Sequence, residues 1–432
     1  MTSTVQPSTG RPVARWSPPP RPEWVARLNA RAEFLDLPSV VPLEPAELIA
    51  TACGNTGLDD FGEGDWYGPF TALVEDLNEN ARLHLLGRML TRQDLLTLLE
   101  QRLRVEAAYR AQPEIEDEEI RRPLVIVGQG RTGTTVLQAM LASHPDNRTL
   151  LHWETLFPGP PLGADAELPD RRIERAEGRF DTWNQVIPEV VAMREFAAMA
   201  PAETIQAQAL SFNAPNYFCP VFGQALNYHH RMLTEYDITD AYRYEKRVMK
   251  LLQWRHPRKR WILKSPVILG EMPQLLEVYP DAAFIWTHRD PVKALASVVS
   301  LIGTLQWMRS DHPLMGDSMA HLTTSEGVAG LLMQPIEWLR DGTVPADRLC
   351  NVHYRDFVAD PVAVAERVYD YFDLELTTEG RAAMSRYMTA NPREARPAHR
   401  YEYGSDADVD LAREAFKDYA EYFGVPAETE AR

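Results

Sequence analysis

Between residues 23 and 112 the apolar positions recur at helical spacing, and no strand signal interrupts them. The clearest piece is the stretch 91–112, where Leu95, Leu96, Leu98, Leu99 and Leu103 form one apolar stripe and charged residues fill the other face. This pattern predicts a helical layer packed on a later part of the chain, and no polar constellation in it looks catalytic. The acidic run Glu114 to Glu119 reads as a linker. Beyond it the pattern changes. Leu124–Val127 is a short apolar run bounded by charge and glycine, as a buried parallel strand would be. Residues 134–143 read as a helix stopped by His144-Pro145, and 150–153 as a second short strand. A Pro/Gly-rich loop occupies 158–169, helical patterning resumes over 170–198, and 201–238 is irregular.

The alternation then returns. Helices are predicted over 239–256, 269–278, 291–305 and 361–372, and strands over 260–263, 282–287 and 349–353. Strands separated by helical segments imply βαβ units and a mostly parallel sheet covered on both faces. The expected organisation is a polar, flexible tail over 1–22, a helical region over 23–119 and an α/β domain over 120–432. No internal repeat is visible.

Composition narrows the function classes. The chain has 432 residues, of which 45% are hydrophobic and 25% charged, so it should fold as a globular protein. Its formal net charge of −17 argues against non-specific binding to nucleic acid or to an anionic membrane. An anionic small ligand remains compatible, since a site needs only a few well-placed cations. Three cysteines, Cys53, Cys219 and Cys350, lie far apart with no CxxC, which points to reduced thiols rather than a disulfide framework or thiolate metal site. No stretch reaches the roughly 18 uninterrupted apolar residues of a membrane span. The N-terminus lacks the apolar core of a signal peptide. A cytoplasmic protein is the expectation.

The candidate chemistry begins at Gly128-Gln129-Gly130-Arg131-Thr132-Gly133-Thr134-Thr135, a turn between a predicted strand and helix. Such a turn presents backbone N–H groups and a helix N-terminus to an anion. The literal G-x-G-x-x-G allows a dinucleotide site, although the acidic residue expected about 20 positions on is met only by Glu154, somewhat further along. As a triphosphatase P-loop the turn has Thr134 where a lysine would reach the terminal phosphates. A third reading puts the cation at Arg131.

The segment Arg131 to Thr135 resembles the 5′-phosphosulfate loop of sulfotransferases that use 3′-phosphoadenosine 5′-phosphosulfate (PAPS). Other blocks follow in that family's order. Thr287-His288-Arg289-Asp290-Pro291 opens a helix in which Ser297 lies eight residues after Arg289, similar to the family's 3′-phosphate pair. Trp261 to Pro266 looks like the segment whose lysine, here Lys264, ends a strand beside the sulfuryl group. His353 to Phe357, followed by Asp360-Pro361, is similar to the segment whose tyrosine, here Tyr354, approaches the nucleotide. His399-Arg400-Tyr401 is similar to the block closing bacterial members, and Arg400 is a further candidate for the 3′-phosphate. The resemblance spans about residues 122 to 403, roughly two-thirds of the chain.

It implies a P-loop-kinase-like parallel sheet flanked by helices, with the helical N-terminal region as an extension. It also implies transfer of a sulfuryl group from PAPS to a hydroxyl, giving PAP and a sulfate ester, with no metal. Arg131 and Lys264 would stabilise charge on the 5′-phosphate, assisted by the Thr132, Gly133, Thr134 and Thr135 backbone. Where many relatives have a histidine after the lysine block, this chain has Val267 and Ile268. Glu154, in a W-E block similar to that of bacterial relatives, becomes the candidate base; a strand-end ion pair with Arg131 or Lys264 is its structural alternative. His152, His229 and His230 are secondary. Phe212, Tyr217, Phe218, Phe222 and Tyr228, with Trp183 and Trp307, could line a pocket for an aromatic, lipid or polyketide-like alcohol, or simply pack an insertion. Two alternatives stay open: an NAD(P)-linked oxidoreductase using Gly128, Gly130 and Gly133, and a silent PAP-binding protein. A homodimer is compatible with the sequence.

Overall fold

The structure is a computed structural model, which describes residues 14–161, 170–223, 225–254, 256–313, 319–392 and 402–428. Seven strands occur in it: β1 (Ala14–Arg15), β2 (Leu124–Val127), β3 (Asn147–Arg148), β4 (Arg260–Lys264), β5 (Ala283–His288), β6 (Leu349–His353) and β7 (Glu402–Tyr403). Five of them form one sheet in the order β3-β4-β2-β5-β6. Every neighbouring pair in it is parallel, with Ile126 opposite Lys264 and Val127 opposite Trp286. The all-apolar β2 can therefore sit at the centre, covered on both faces.

Alternation along the strands divides the core. Leu124, Ile126, Ile262 and Ile285 face one side, against Leu137 and Met140 of the helix Thr134–Ala142 and Val364 and Val368 of the helix Pro361–Tyr371. Val125, Val127, Leu263 and Phe284 face the other. That second core also takes in Leu73, Leu95, Leu99 and Leu103, so the helical region before residue 120 shares a core with the sheet. Its main element is the 27-residue helix Leu85–Ala111.

Several local expectations are corrected. The second strand is β3, and the segment expected as a strand turns instead into the helix His152–Leu156. Its first N–H groups leave the sheet, with His152 and Trp153 donating to the Ala200 and Ala198 carbonyls. The acidic run does not act as a free linker. Glu116 pairs with Arg247 and Lys250, and Glu118 accepts from Gln253, which docks the run on the helix Thr239–Gln253. The irregular stretch holds the helices Pro215–Phe222 and Leu226–Thr234. The helix expected over 269–278 is a 3-10 turn, Pro266–Gly270, and a helix, Met272–Val278, with Pro273 near its start. Residues 14–22 are anchored: β1 pairs with β7, Trp16 meets Trp307 edge-on, and Arg21 binds Asp311 at 2.7 Å.

Candidate active site

Because β4 and β5 flank β2, the carboxyl ends of three strands open on one crevice, where open α/β sheets receive ligands. Lys264 ends β4, the glycine-rich turn follows β2, and Arg289 follows β5. The turn needs unusual backbone. Gly128 has φ 132°, and a Cβ there would lie 2.5 Å from Thr287 Oγ1. Gly133 has φ 88° beside the Tyr354 ring, and Arg131 holds the left-handed conformation at φ 74° despite its side chain. Gly133 caps the helix Thr134–Ala142, whose free N–H groups thus begin at the turn.

The turn, Arg289 and Tyr354 line one end of a cavity of about 830 Å³. Gly133, Thr134, Thr135 and Arg131 are among its walls. The Arg289 guanidinium lies 4.3 Å from the centre of the Tyr354 ring and donates to the Arg131 carbonyl at 3.0 Å. Its remaining fork is taken by a carboxylate from the C-terminal segment: Nε and Nη2 reach the Glu428 oxygens at 2.7 and 2.9 Å. Thr132 turns inward, its hydroxyl bonding the Gln129 carbonyl at 2.7 Å and the Thr287 hydroxyl at 2.6 Å. Only its backbone is left for a ligand. Ser297 is buried on the helix Pro291–Trp307 and is not among the lining residues. Arg400 lies outside the described residues.

Lys264 is 2% exposed, and its Nζ donates to Glu203 Oε1 at 2.7 Å. Arg194 reaches the same oxygen at 3.2 Å. Burial lowers the Lys264 ammonium to about 8, against the pull of Glu203. Burial would raise the Glu203 carboxyl, but Lys264 and Arg194 outweigh it and bring it to about 2. The pair is therefore ionised at neutral pH, and Glu203 and Arg194 face the cavity. Sequence reasoning missed both residues. The signal available was slight: Glu203 is the one charged residue between Phe196 and Asn213.

Glu154 stands elsewhere. Its carboxylate is ion-paired with Arg148 and accepts from the Leu151 N–H at 3.0 Å, capping its own short helix. It is not among the cavity-lining residues, and its partner is neither Arg131 nor Lys264. The ribose partner that a dinucleotide reading needs is thus committed to Arg148. His152 is buried, with Nδ1 3.0 Å from the Ala197 carbonyl and its basicity lowered to about 3 by burial. His229 stacks on His321, and neither it nor His230 lines the cavity. Of the seven aromatics expected in a pocket, Trp183 and Tyr217 do line it. Phe212, Phe218, Phe222 and Tyr228 are buried in the main core instead, and Trp307 packs against Arg21 and Trp16 and is not among the lining residues. Among the described residues no group of three or more His, Cys, Asp or Glu could hold a metal ion, and no helix is long and apolar enough to cross a membrane.

Comparison with known proteins adds to this geometry. A family model described as the sulfotransferase family matches residues 123–379. Sulfotransferase STF1 from Mycobacterium tuberculosis H37Rv is 26% identical with a TM-score of 0.70, over 86% of this chain and 98% of that one. Sulfotransferase STF9 from Mycobacterium avium is 25% identical with a TM-score of 0.69, over 89% of this chain and 98% of that one. No curated protein matches.

Proposed function

The chain belongs to the sulfotransferase family and is a transferase, and from that premise we propose that it moves a sulfuryl group from PAPS to a hydroxyl of a small-molecule acceptor. One observation carries this reading. A single cavity has an anion-binding turn, Arg131, Arg289 and Tyr354 in its walls at one end, with apolar and aromatic walls beyond.

The donor is polyanionic at both ends. Its 5′-phosphosulfate suits the Arg131–Thr135 turn, where backbone N–H groups and a helix N-terminus meet negative charge without needing to reorganise. Its 3′-phosphate suits Arg289, whose fork already takes a bidentate carboxylate. In the reaction the acceptor oxygen forms a bond to sulfur while the bond from sulfur to the bridging phosphate oxygen breaks. Negative charge accumulates on the departing 5′-phosphate of PAP, and the cations assigned to receive it are Arg131, which lines the cavity, and Lys264, which is buried against Glu203 and is not among the lining residues. Little covalent chemistry falls to the protein; alignment and electrostatics do the work.

The acceptor must also lose a proton. Glu203, rather than Glu154, is the proposed recipient, because it is ionised and faces the cavity beside Lys264. Its low basicity is adequate if the proton leaves late, since an oxygen already bonding to sulfur is strongly acidic. The free thiols Cys53, Cys219 and Cys350 fit a reducing compartment, supporting a cytoplasmic location.

Titration of the protein's melting temperature tests the donor. A ligand that binds only the folded state raises it. PAP should do so, and NAD(H) and ATP should not. Stabilisation by NAD(H) or ATP in preference to PAP would overturn the reading, and PAP binding with no sulfuryl transfer to any acceptor would mark a silent binding protein.

A further inference from the structure

On another wall of the same cavity lies a charged group that the transfer chemistry does not use. The helix Arg172–Val186 contributes Arg179, Phe180, Trp183 and Asn184, and the helix Leu85–Ala111 contributes Asp94, Thr97 and Leu98. Arg179 is paired with Asp94 and donates to the Thr97 hydroxyl at 2.9 Å. Arg309, fully buried behind it, takes the other Asp94 oxygen at 2.5 Å. Two guanidiniums therefore share one carboxylate, and among the described residues no second acid meets either of them. The charged neighbours of Arg179 are this group, whereas those of Lys264 are Glu203, Arg194 and Arg131. The two groups share no ion pair.

A buried positive charge left over in this way is costly unless something pairs with it. Burial and the adjacent Arg309 lower Arg179 to about 10, which leaves it charged at neutral pH. Beside it the indole Nε1 of Trp183, a residue 5% exposed, has no hydrogen-bond partner. The Asn184 amide oxygen is also unpartnered, and a half-turn of that amide would present its NH₂ group instead. Around these groups the walls are apolar, including Phe180, Phe196, Val221, Leu301 and Leu305. Donors without partners, surplus positive charge and an apolar surround together describe a receptor for an anion carried on a hydrophobic body.

We propose that the acceptor is an amphipathic hydroxyl compound whose apolar body lies against Phe180, Trp183 and Phe196 and whose carboxylate is held by Arg179 and Trp183 Nε1. This rests on the sulfotransferase reading of the site and deepens it, because it gives the helical N-terminal region a part in acceptor choice. Asp94 sets the strength of the trap: it neutralises one of the two guanidiniums and leaves the other for the ligand.

The test uses the full chain saturated with PAP, so that the donor's own anion sites are filled. Dodecanoate, its methyl ester and dodecylammonium are compared by calorimetry. The carboxylate should bind at least about tenfold more tightly than the ester, as a charge-assisted contact with a buried guanidinium implies, and the ammonium should bind most weakly. Equal binding of acid and ester, or no binding of the acid, overturns the inference. Arg179→Gln should abolish the preference for the acid, and Trp183→Phe should reduce it about threefold, providing a second variant if the first does not fold. Failure of PAP itself to bind would instead sink the reading of the whole site, so the two failures are distinguishable.

Discussion

The two ends of the cavity are built in opposite ways. At the end proposed for the donor each group sits within a few residues of a strand's carboxyl terminus: the turn after β2, Lys264 on β4, Arg289 after β5 and Tyr354 after β6. Four short strings of sequence place them all, because a parallel sheet delivers such termini to one edge. The acceptor end has no such scaffold. Asp94, Arg179 and Tyr217 come from three different helices and meet only through tertiary packing. One wall is thus set by local motifs at a sheet edge, while the other depends on long-range packing between helices.

The sharpest way to break this comparison is at the donor end. Lys264→Ala removes a buried cation from beside the turn and leaves the Glu203 carboxylate without its closest partner. Turnover should fall by about 10³-fold, the scale for deleting a preorganised charge that acts on the transition state. PAP affinity, measured by calorimetry, should change by less than about tenfold. A variant that lost affinity and turnover equally would show Lys264 to be a binding residue only.

The next largest effect distinguishes two carboxylates. Glu203→Gln should lower turnover by about 10²-fold, the range for losing a general base. It should also alter the pH profile. Lys264 must keep its proton to act, so activity should decline above about pH 8, where burial has brought its basicity. Glu203 raises that value, while Arg194 and Arg131 lower it. Removing the Glu203 charge must therefore move the decline to lower pH, whereas a shift to higher pH would contradict the ion pair. Glu154→Gln should behave differently. It weakens a buried pair with Arg148 and a helix cap, so the melting temperature should drop, with turnover of the folded enzyme within about threefold of wild type. If Glu154→Gln lost turnover without losing stability, the proton would go to Glu154 after all.

The same contrast explains what could be read from the residues alone. The strands β2, β4, β5 and β6, their parallel sense and the helices Thr134–Ala142, Pro291–Trp307 and Pro361–Tyr371 follow from apolar runs bounded by glycine or charge, and all lie close to their expected limits. The misreading at Leu150–Trp153 arose because an apolar pair followed by His152-Trp153 fits a strand equally well. The N–H groups of His152 and Trp153 instead find the carbonyls of Ala200 and Ala198, some 45 residues away. No local pattern encodes that partnership. Glu203 was missed for a related reason: a lone acid in an apolar stretch acquires meaning only when Lys264 and Arg194 arrive beside it.

The smallest predicted effect lies at the junction of the donor site and the C-terminal segment. Glu428 offers Arg289 the same bidentate geometry that a phosphate would, at 2.7 and 2.9 Å, and its second oxygen lies 3.9 Å from Lys293. The segment is also anchored by its backbone, with the Glu428 N–H donating to Asp290 at 2.7 Å. A donor 3′-phosphate that uses the Arg289 fork must displace this carboxylate. Both partners are partly exposed, at 17% and 31% for the two side chains, so water screens the pair and its worth is modest. Glu428→Gln, which keeps the shape and removes the charge, should accordingly tighten PAP binding by about three- to tenfold. The gain should shrink as salt is raised, because both anions compete for screened cations. Unchanged or weaker PAP binding in this variant would mean that Glu428 holds Arg289 in position for the ligand instead of competing with it.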